Sequence, residues 1–111
     1  MIIVKRPWGE FKRFILNEKC TVKILSLKPN SELSLQKHMK RKEIWYFLDD
    51  GFVQIGSKRR RIRKGKIVSA GKNISHRIFS GNKKLDVLEI STGNFDEKDE
   101  IRIEDKYGRI R

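Results

Sequence analysis

With a single cysteine, Cys20, this chain of 111 residues can form no internal disulfide. Cys20 falls in the alternating stretch KCTVKILSL, which reads as a strand carrying it as a small core hydrophobe rather than as a reactive thiol. Long apolar runs are missing too. The N-terminus, MIIVKRPWG, offers three consecutive apolar residues after Met1, too few for a signal-peptide core or a membrane span. The expectation is a cytoplasmic protein with no membrane partner. No stretch carries the periodicity of a long amphipathic helix. Internal repeats, low-complexity segments and linkers are absent, as is any glycine-rich loop of the kind that cradles a nucleotide phosphate. Acidic residues are scarce beside basic ones: 14 Asp and Glu against 27 Lys and Arg leave a formal charge of +13. That balance favours anionic partners without choosing among phosphates, sugar nucleotides, nucleic acid or an acidic membrane. The densest run, SKRRRIRKGK at 57–66, has no interleaved aromatics and no RNA-binding motif around it. It reads as a solvated hairpin, and nucleic acid is not an expected partner.

What the chain does have is a succession of short, often alternating apolar runs divided by turn residues, the signature of strands. The runs are Glu10–Leu16, Cys20–Leu27, Leu33–His38, Glu43–Leu48, Phe52–Gly56, Arg60–Arg63, Lys66–Ser69, His76–Phe79 and Leu85–Thr92. Turn-forming clusters such as Pro29-Asn30-Ser31, Asp49-Asp50-Gly51 and Gly71-Lys72-Asn73 separate them. This spacing predicts one all-β domain over residues 1–111, a sandwich or barrel. The tail 94–111 is charged and poor in large apolar residues, and is expected to fold over or near a pocket. Trp8, after Pro7, is expected to anchor the N-terminal arm, and Trp45 to form part of the barrel wall.

The chemistry concentrates in LSLQKHMKRKEIWYF. On a strand, Gln36 and His38 share a face, because side chains alternate with period two. Glu43 follows across a turn at Met39–Lys42, where a hairpin would bring its carboxylate beside His38. His76, the only other histidine, opens a later strand. Two imidazoles, a carboxylate and an amide oxygen make a mixed nitrogen and oxygen donor set. Such a set suits Zn²⁺, Fe²⁺, Mn²⁺, Co²⁺ or Ni²⁺ with positions open to substrate. Two histidines can equally be ordinary hydrogen-bonded residues, and spacing alone leaves that alternative open.

The order of these residues is a familiar one. Gln36, His38, Glu43 and Gly51 follow the first motif of cupins, and Gly65 and His76 have the spacing of the second. A closer likeness comes from three blocks in order. They are Arg6-Pro7-Trp8-Gly9 with Phe11; Leu33-Ser34-Leu35-Gln36 with His38, Arg41, Glu43 and Trp45; and Glu89 with Gly93, then Asp99, Ile101, Arg102, Asp105, Tyr107, Gly108 and Arg109. From Arg6 to Arg109 the chain resembles the C-terminal domain of type II phosphomannose isomerases, which often accompanies a guanylyltransferase. Nothing in these residues resembles the guanylyltransferase part, so GDP-mannose synthesis is not expected of them. The resemblance implies a cupin barrel (a double-stranded β-helix or jelly roll). It also implies metal-dependent isomerisation of mannose 6-phosphate and fructose 6-phosphate, with Gln36, His38, Glu43 and His76 around one divalent ion. Zinc is the first candidate, with cobalt, manganese, nickel or iron as alternatives. The sequence departs from the family pattern at Ile44, usually histidine, at Gly71 and Asn73, usually proline and glycine, and at Ser80, usually asparagine. These changes put the shape of the pocket in question.

Aldose–ketose isomerisation needs stabilisation of negative charge developing on oxygen, a base for a carbon-bound proton, and cations for the phosphate. Arg109 is the candidate for charge stabilisation or phosphate contact. Arg41, read as lying in the turn, is a candidate for phosphate contact or a surface ion pair. Tyr107 and Asp105 are candidates for fixing the tail over the pocket. The base remains open between Asp105, Glu89 and a metal-bound hydroxide. Other functions fit the same barrel: a cupin sugar-nucleotide epimerase, or a non-catalytic cupin that binds a sugar phosphate. A homodimer paired through a sheet edge is expected, because exposed edges invite pairing.

Overall fold

The computed structural model describes residues 1–93 and 96–108, with Glu97 by its backbone alone. Eleven strands form among the described residues: β1 (Ile2–Arg6), β2 (Gly9–Arg13), β3 (Cys20–Leu27), β4 (Leu35–His38), β5 (Arg41–Phe47), β6 (Gly51–Ile55), β7 (Lys58–Ile62), β8 (Ile67–Ala70), β9 (His76–Phe79), β10 (Leu85–Gly93) and β11 (Glu100–Glu104). A 3-10 turn, Glu97–Asp99, leads into β11. Two antiparallel sheets make the barrel. One runs β3-β10-β5-β8 and the other β11-β4-β9-β6-β7, while β1 and β2 pair as a separate hairpin. This is the all-β barrel that the strand and turn spacing predicts, in the cupin-type jelly-roll form that the family resemblance implies. No helix of the described residues is long and apolar enough to cross a membrane.

Alternation builds the core. Along β5, Arg41, Glu43, Trp45 and Phe47 are buried while Lys42 is exposed and Ile44 and Tyr46 are half-buried on the other face. Trp45 and Phe47 meet Leu27, Val53, Val68, Ile78, Leu85 and Val87 between the sheets, so the apolar half of the interior fills one end of the barrel. Trp45 is part of the barrel wall, as its strand face predicts. The other end, where Arg41 and Glu43 project, is polar.

Cys20 is exposed, not a core residue. The register of β3 explains the reversal. Leu27 pairs with Leu85, Leu25 with Val87 and Lys23 with Glu89, so the parity of Lys23, Leu25 and Leu27 faces inward. Val22 and Ile24, which suggested the opposite phase, are left 55% and 61% exposed. Trp8 also departs from expectation: at the tip of the β1–β2 hairpin it is 72% exposed and anchors nothing. Two strands were not visible in the apolar pattern, β1 and β11. The first carries Lys5 and Arg6 beside its apolar residues, and the second alternates charge with isoleucine as EIRIE.

Candidate metal centre and its pocket

His38 and Glu43 meet in a way that a simple hairpin does not provide. β4 lies in one sheet and β5 in the other, and the chain crosses between them at Met39 and Lys40. The last residue of β4 and an inward residue of β5 therefore face each other across the interior. His38 Nε2 lies 2.7 Å from Glu43 Oε1. His76, the first residue of β9, is carried beside β4 by its pairing with Gln36, and its Nε2 lies 3.6 Å from the same carboxylate oxygen. All three side chains are buried, and their ligand atoms lie within 4.8 Å of one another. That spread is close to what one ion about 2 Å from each donor would set.

The surroundings orient these donors. His76 Nδ1 lies 2.9 Å from the Ile74 carbonyl oxygen, a partner that can only accept. Nδ1 therefore carries a proton, and Nε2 is turned toward Glu43. Trp45 Nε1 donates to Glu43 Oε2 at 3.0 Å, leaving Oε1 toward the histidines. An imidazole nitrogen from each histidine and a carboxylate oxygen converge at one point, so His38, Glu43 and His76 could hold a metal ion. Burial would raise the Glu43 pKa, but hydrogen bonds with His38, His76 and Glu89 outweigh it and hold the carboxyl far below the usual carboxylate range. Glu89 behaves oppositely. Burial, helped by its hydrogen bond to Glu43 and by that group's charge, pushes it up to about 8. At neutral pH Glu89 therefore keeps its proton and donates it toward the Glu43 carboxylate.

The cluster opens on a cavity of about 180 Å³. Gln36 lines it, with Nε2 donating to Ser34 Oγ at 3.1 Å, and so does Glu89. Arg41 lines it as well, which corrects its reading as a turn residue. It is the first residue of β5, and its side chain is 4% exposed. One terminal nitrogen lies 3.2 Å from His38 Nε2, and the other donates to the Asp96 carbonyl at 3.3 Å. Asp105 and Tyr107 are not brought to the cluster. Asp105 borders a surface depression with Glu32 and Arg77, and Tyr107 is 54% exposed. Arg109 lies outside the described residues. Three charged residues of the cavity were given no place in it by the sequence: Lys23 and Glu100, and Arg102, which was named only within the family pattern. The parity of Lys23 with Leu25 and Leu27 was the available signal, masked by the competing parity of Val22 and Ile24.

Of the departures from the family pattern, Ile44 faces away from the cluster, toward Phe14 and Ile15 on the outer side of the sheet. Ser80 is also remote. Its Oγ donates to the Lys28 carbonyl at 2.6 Å and accepts from the Ser31 amide at 2.9 Å, bracing a loop. Asn73, at φ 58°, donates its amide to the His38 carbonyl at 2.6 Å, so this turn supports the ligand strand.

Comparison with known proteins agrees with this architecture. The family model described as mannose-6-phosphate isomerase C-terminal matches residues 2–105. The chain is similar to mannose-1-phosphate guanylyltransferase ManC of Salmonella typhimurium, 32% identical over 117 residues that cover 96% of this chain and 23% of that protein. The chain thus spans 23% of the length of the curated relatives it matches. Among solved structures, the capsular polysaccharide assembling protein CapF of Staphylococcus aureus superposes with a TM-score of 0.70 at 16% identity, over 94% of this chain and 34% of that one. A double-stranded β-helix protein of Klebsiella pneumoniae gives a TM-score of 0.64 at 13% identity, over 71% of each chain. These two likenesses concern the fold.

Proposed function

The chain belongs to the mannose-6-phosphate isomerase C-terminal family, and from that membership we propose that it is a metal-dependent isomerase interconverting mannose 6-phosphate and fructose 6-phosphate. The observation that carries the reading is the convergence of His38, Glu43 and His76 at a cavity that Glu43, His76 and Glu89 line. His38, Glu43 and His76 would hold the ion, and Gln36 would add its amide oxygen; zinc is our first choice for such donors. When bound, the ion supplies Lewis-acid stabilisation of charge on a sugar oxygen.

The protein residues divide the remaining work. Glu89 is the proton-transfer group of choice, because it lines the cavity and Asp105 does not. Its retained proton can pass to the sugar carbonyl oxygen and the carboxylate so formed can take the proton of the neighbouring carbon, giving a neutral enediol; the reverse transfers, with the two carbons exchanged, release the isomer and restore the protonated carboxyl. Arg41 is held against the cluster and places a fixed positive charge beside the reacting end of the sugar. We further propose that two copies pair along the open edge of β3, with exposed Val22 and Ile24; a monomeric mass by light scattering would refute this.

The test is conversion of mannose 6-phosphate to fructose 6-phosphate by the chain, before and after chelation and metal return. The expected result is turnover that disappears with chelator, returns with metal and is lost in His38→Ala. Absence of turnover with every divalent metal tried would refute the isomerase reading. Saturable binding of the sugar phosphate in its place would identify a binding cupin.

A further inference from the structure

We propose that Lys23 and Arg102, one from each sheet, grip the phosphate of the sugar at the open end of the cavity; the inference rests on the isomerase reading of this pocket. Lys23 belongs to β3, the edge strand of the four-stranded sheet, and Arg102 to β11, the edge strand of the five-stranded sheet. Both line the cavity, so the two edges face each other across it. The candidate ligands His38, Glu43 and His76 come from strands nearer the middle of the sheets. Lys23 sits beside Glu89, which in turn sits beside Trp45 of β5, so it lies two strand spacings from the metal-binding strand, about 10 Å. Arg102 sits beside Gln36, itself a candidate ligand, and two strand spacings from His76. The reactive carbons and the phosphate of a hexose 6-phosphate lie at opposite ends of the sugar. With the reacting end at the metal cluster, the phosphate falls toward these two edges.

The residue types fit a dianion. An ammonium and a guanidinium on opposing walls can donate charge-assisted hydrogen bonds to separate phosphate oxygens. Arg102 Nε lies 2.6 Å from Glu100 Oε2, an ion pair between neighbours on one strand face. Arg41, the other cation of the cavity, is committed to His38, Glu43 and Asp96 at the floor. Lys23 occupies an inward position on a strand whose next inward residues are Leu25 and Leu27.

The test uses the metal-loaded full chain and the variants Lys23→Met, Arg102→Gln and Arg102→Lys. Inorganic phosphate and fructose 6-phosphate are titrated by calorimetry, and isomerase kinetics are measured in parallel. Each neutral variant is expected to lose about 10- to 100-fold in affinity for both ligands, the size of a lost charge-assisted hydrogen bond. KM is expected to rise by a similar factor while kcat and metal content hold, and Arg102→Lys is expected to recover part of the loss. Phosphate affinity equal to that of the unaltered chain in both neutral variants would overturn the proposal, as would loss of kcat at constant KM. The calorimetry stands apart from turnover. Phosphate binding that depends on Lys23 and Arg102 in a chain without isomerase activity would uphold the grip and remove only the isomerase reading.

Discussion

Gly93 tests how the metal-site crossing is supported. It ends β10 opposite Arg41, and its φ is 104°, a conformation that L side chains rarely adopt. A Cβ placed there would lie 2.5 Å from the Lys40 carbonyl oxygen and 3.2 Å from Arg41 Cα. Both neighbours are backbone, so neither can rotate away, and the crossing between His38 and Glu43 would have to shift. Strain at such a φ costs about 1–3 kcal/mol, and displacing packed neighbours costs about 1–3 kcal/mol more. Gly93→Ala should therefore lose about 2–6 kcal/mol, a large share of the roughly 5–15 kcal/mol of a typical domain. Gly65→Ala is the control. Gly65 has a φ of 87° but nothing within 4 Å of the added Cβ, so it should lose the strain contribution alone. Urea titration of the metal-free chains measures both losses, and calorimetric metal titration measures the effect on the site. The expected result is a larger loss of stability for Gly93→Ala, with weakened metal binding that Gly65→Ala does not share. Equal stability losses with unchanged metal affinity would show that the crossing does not depend on this contact.

Three further outcomes follow from the same geometry. Trp45→Phe removes the indole N–H that orients the Glu43 carboxylate, and should lower metal affinity by about 10- to 100-fold; an unchanged titration would count against that role. For Glu89, burial and the neighbouring Glu43 raise the folded pKa to about 8 from the ordinary 4.5. Its contribution to stability is complete below about pH 4.5 and is lost as pH rises through about 8. Melting of the metal-free chain should show this fall, Glu89→Gln should flatten it, and parallel profiles would refute the assignment. Ile44→His places the family's usual residue on the outer face of β5, away from the cluster. Metal content and turnover should stay as they are in the unaltered chain, and a marked change in either would mean that the outer face communicates with the site.

The inward residues of β4 and β5 were legible because they obey one rule, alternation, within short strands bounded by clear turns. Gln36, His38, Glu43 and Trp45 could be placed from their spacing, and Glu89 from its strand. Lys23 and Cys20 could not, because β3 offers apolar residues on both parities and only pairing with Leu85 and Val87 decides between them. Arg41 was misplaced for a related reason. A charged run, Lys40-Arg41-Lys42, looks like a turn, yet β5 begins within it and buries its middle residue. The use of Arg102 was hidden as well, since EIRIE lacks the composition of a barrel strand and pairs only where β4 offers an edge.

The tail strand is held in place by the same segment that it helps to complete. Asp99 accepts hydrogen bonds from the amides of Met39 and Lys40 at 3.1 and 3.0 Å, one on each carboxylate oxygen. Those are the two residues by which the chain crosses between the sheets after His38. Asn73 holds the carbonyl of His38 from another side, and Gly93 allows the backbone of Lys40 to approach β10. The crossing is thus fixed from three directions by groups that do not enter the cavity. This explains why Asp99 and Gly93 belong to the same sequence pattern as Gln36, His38 and Glu43 while lying apart from the donor atoms. A span of four residues between His38 and Glu43 can present two ligands from facing sheets only if its backbone is denied other paths, and these three contacts supply that constraint.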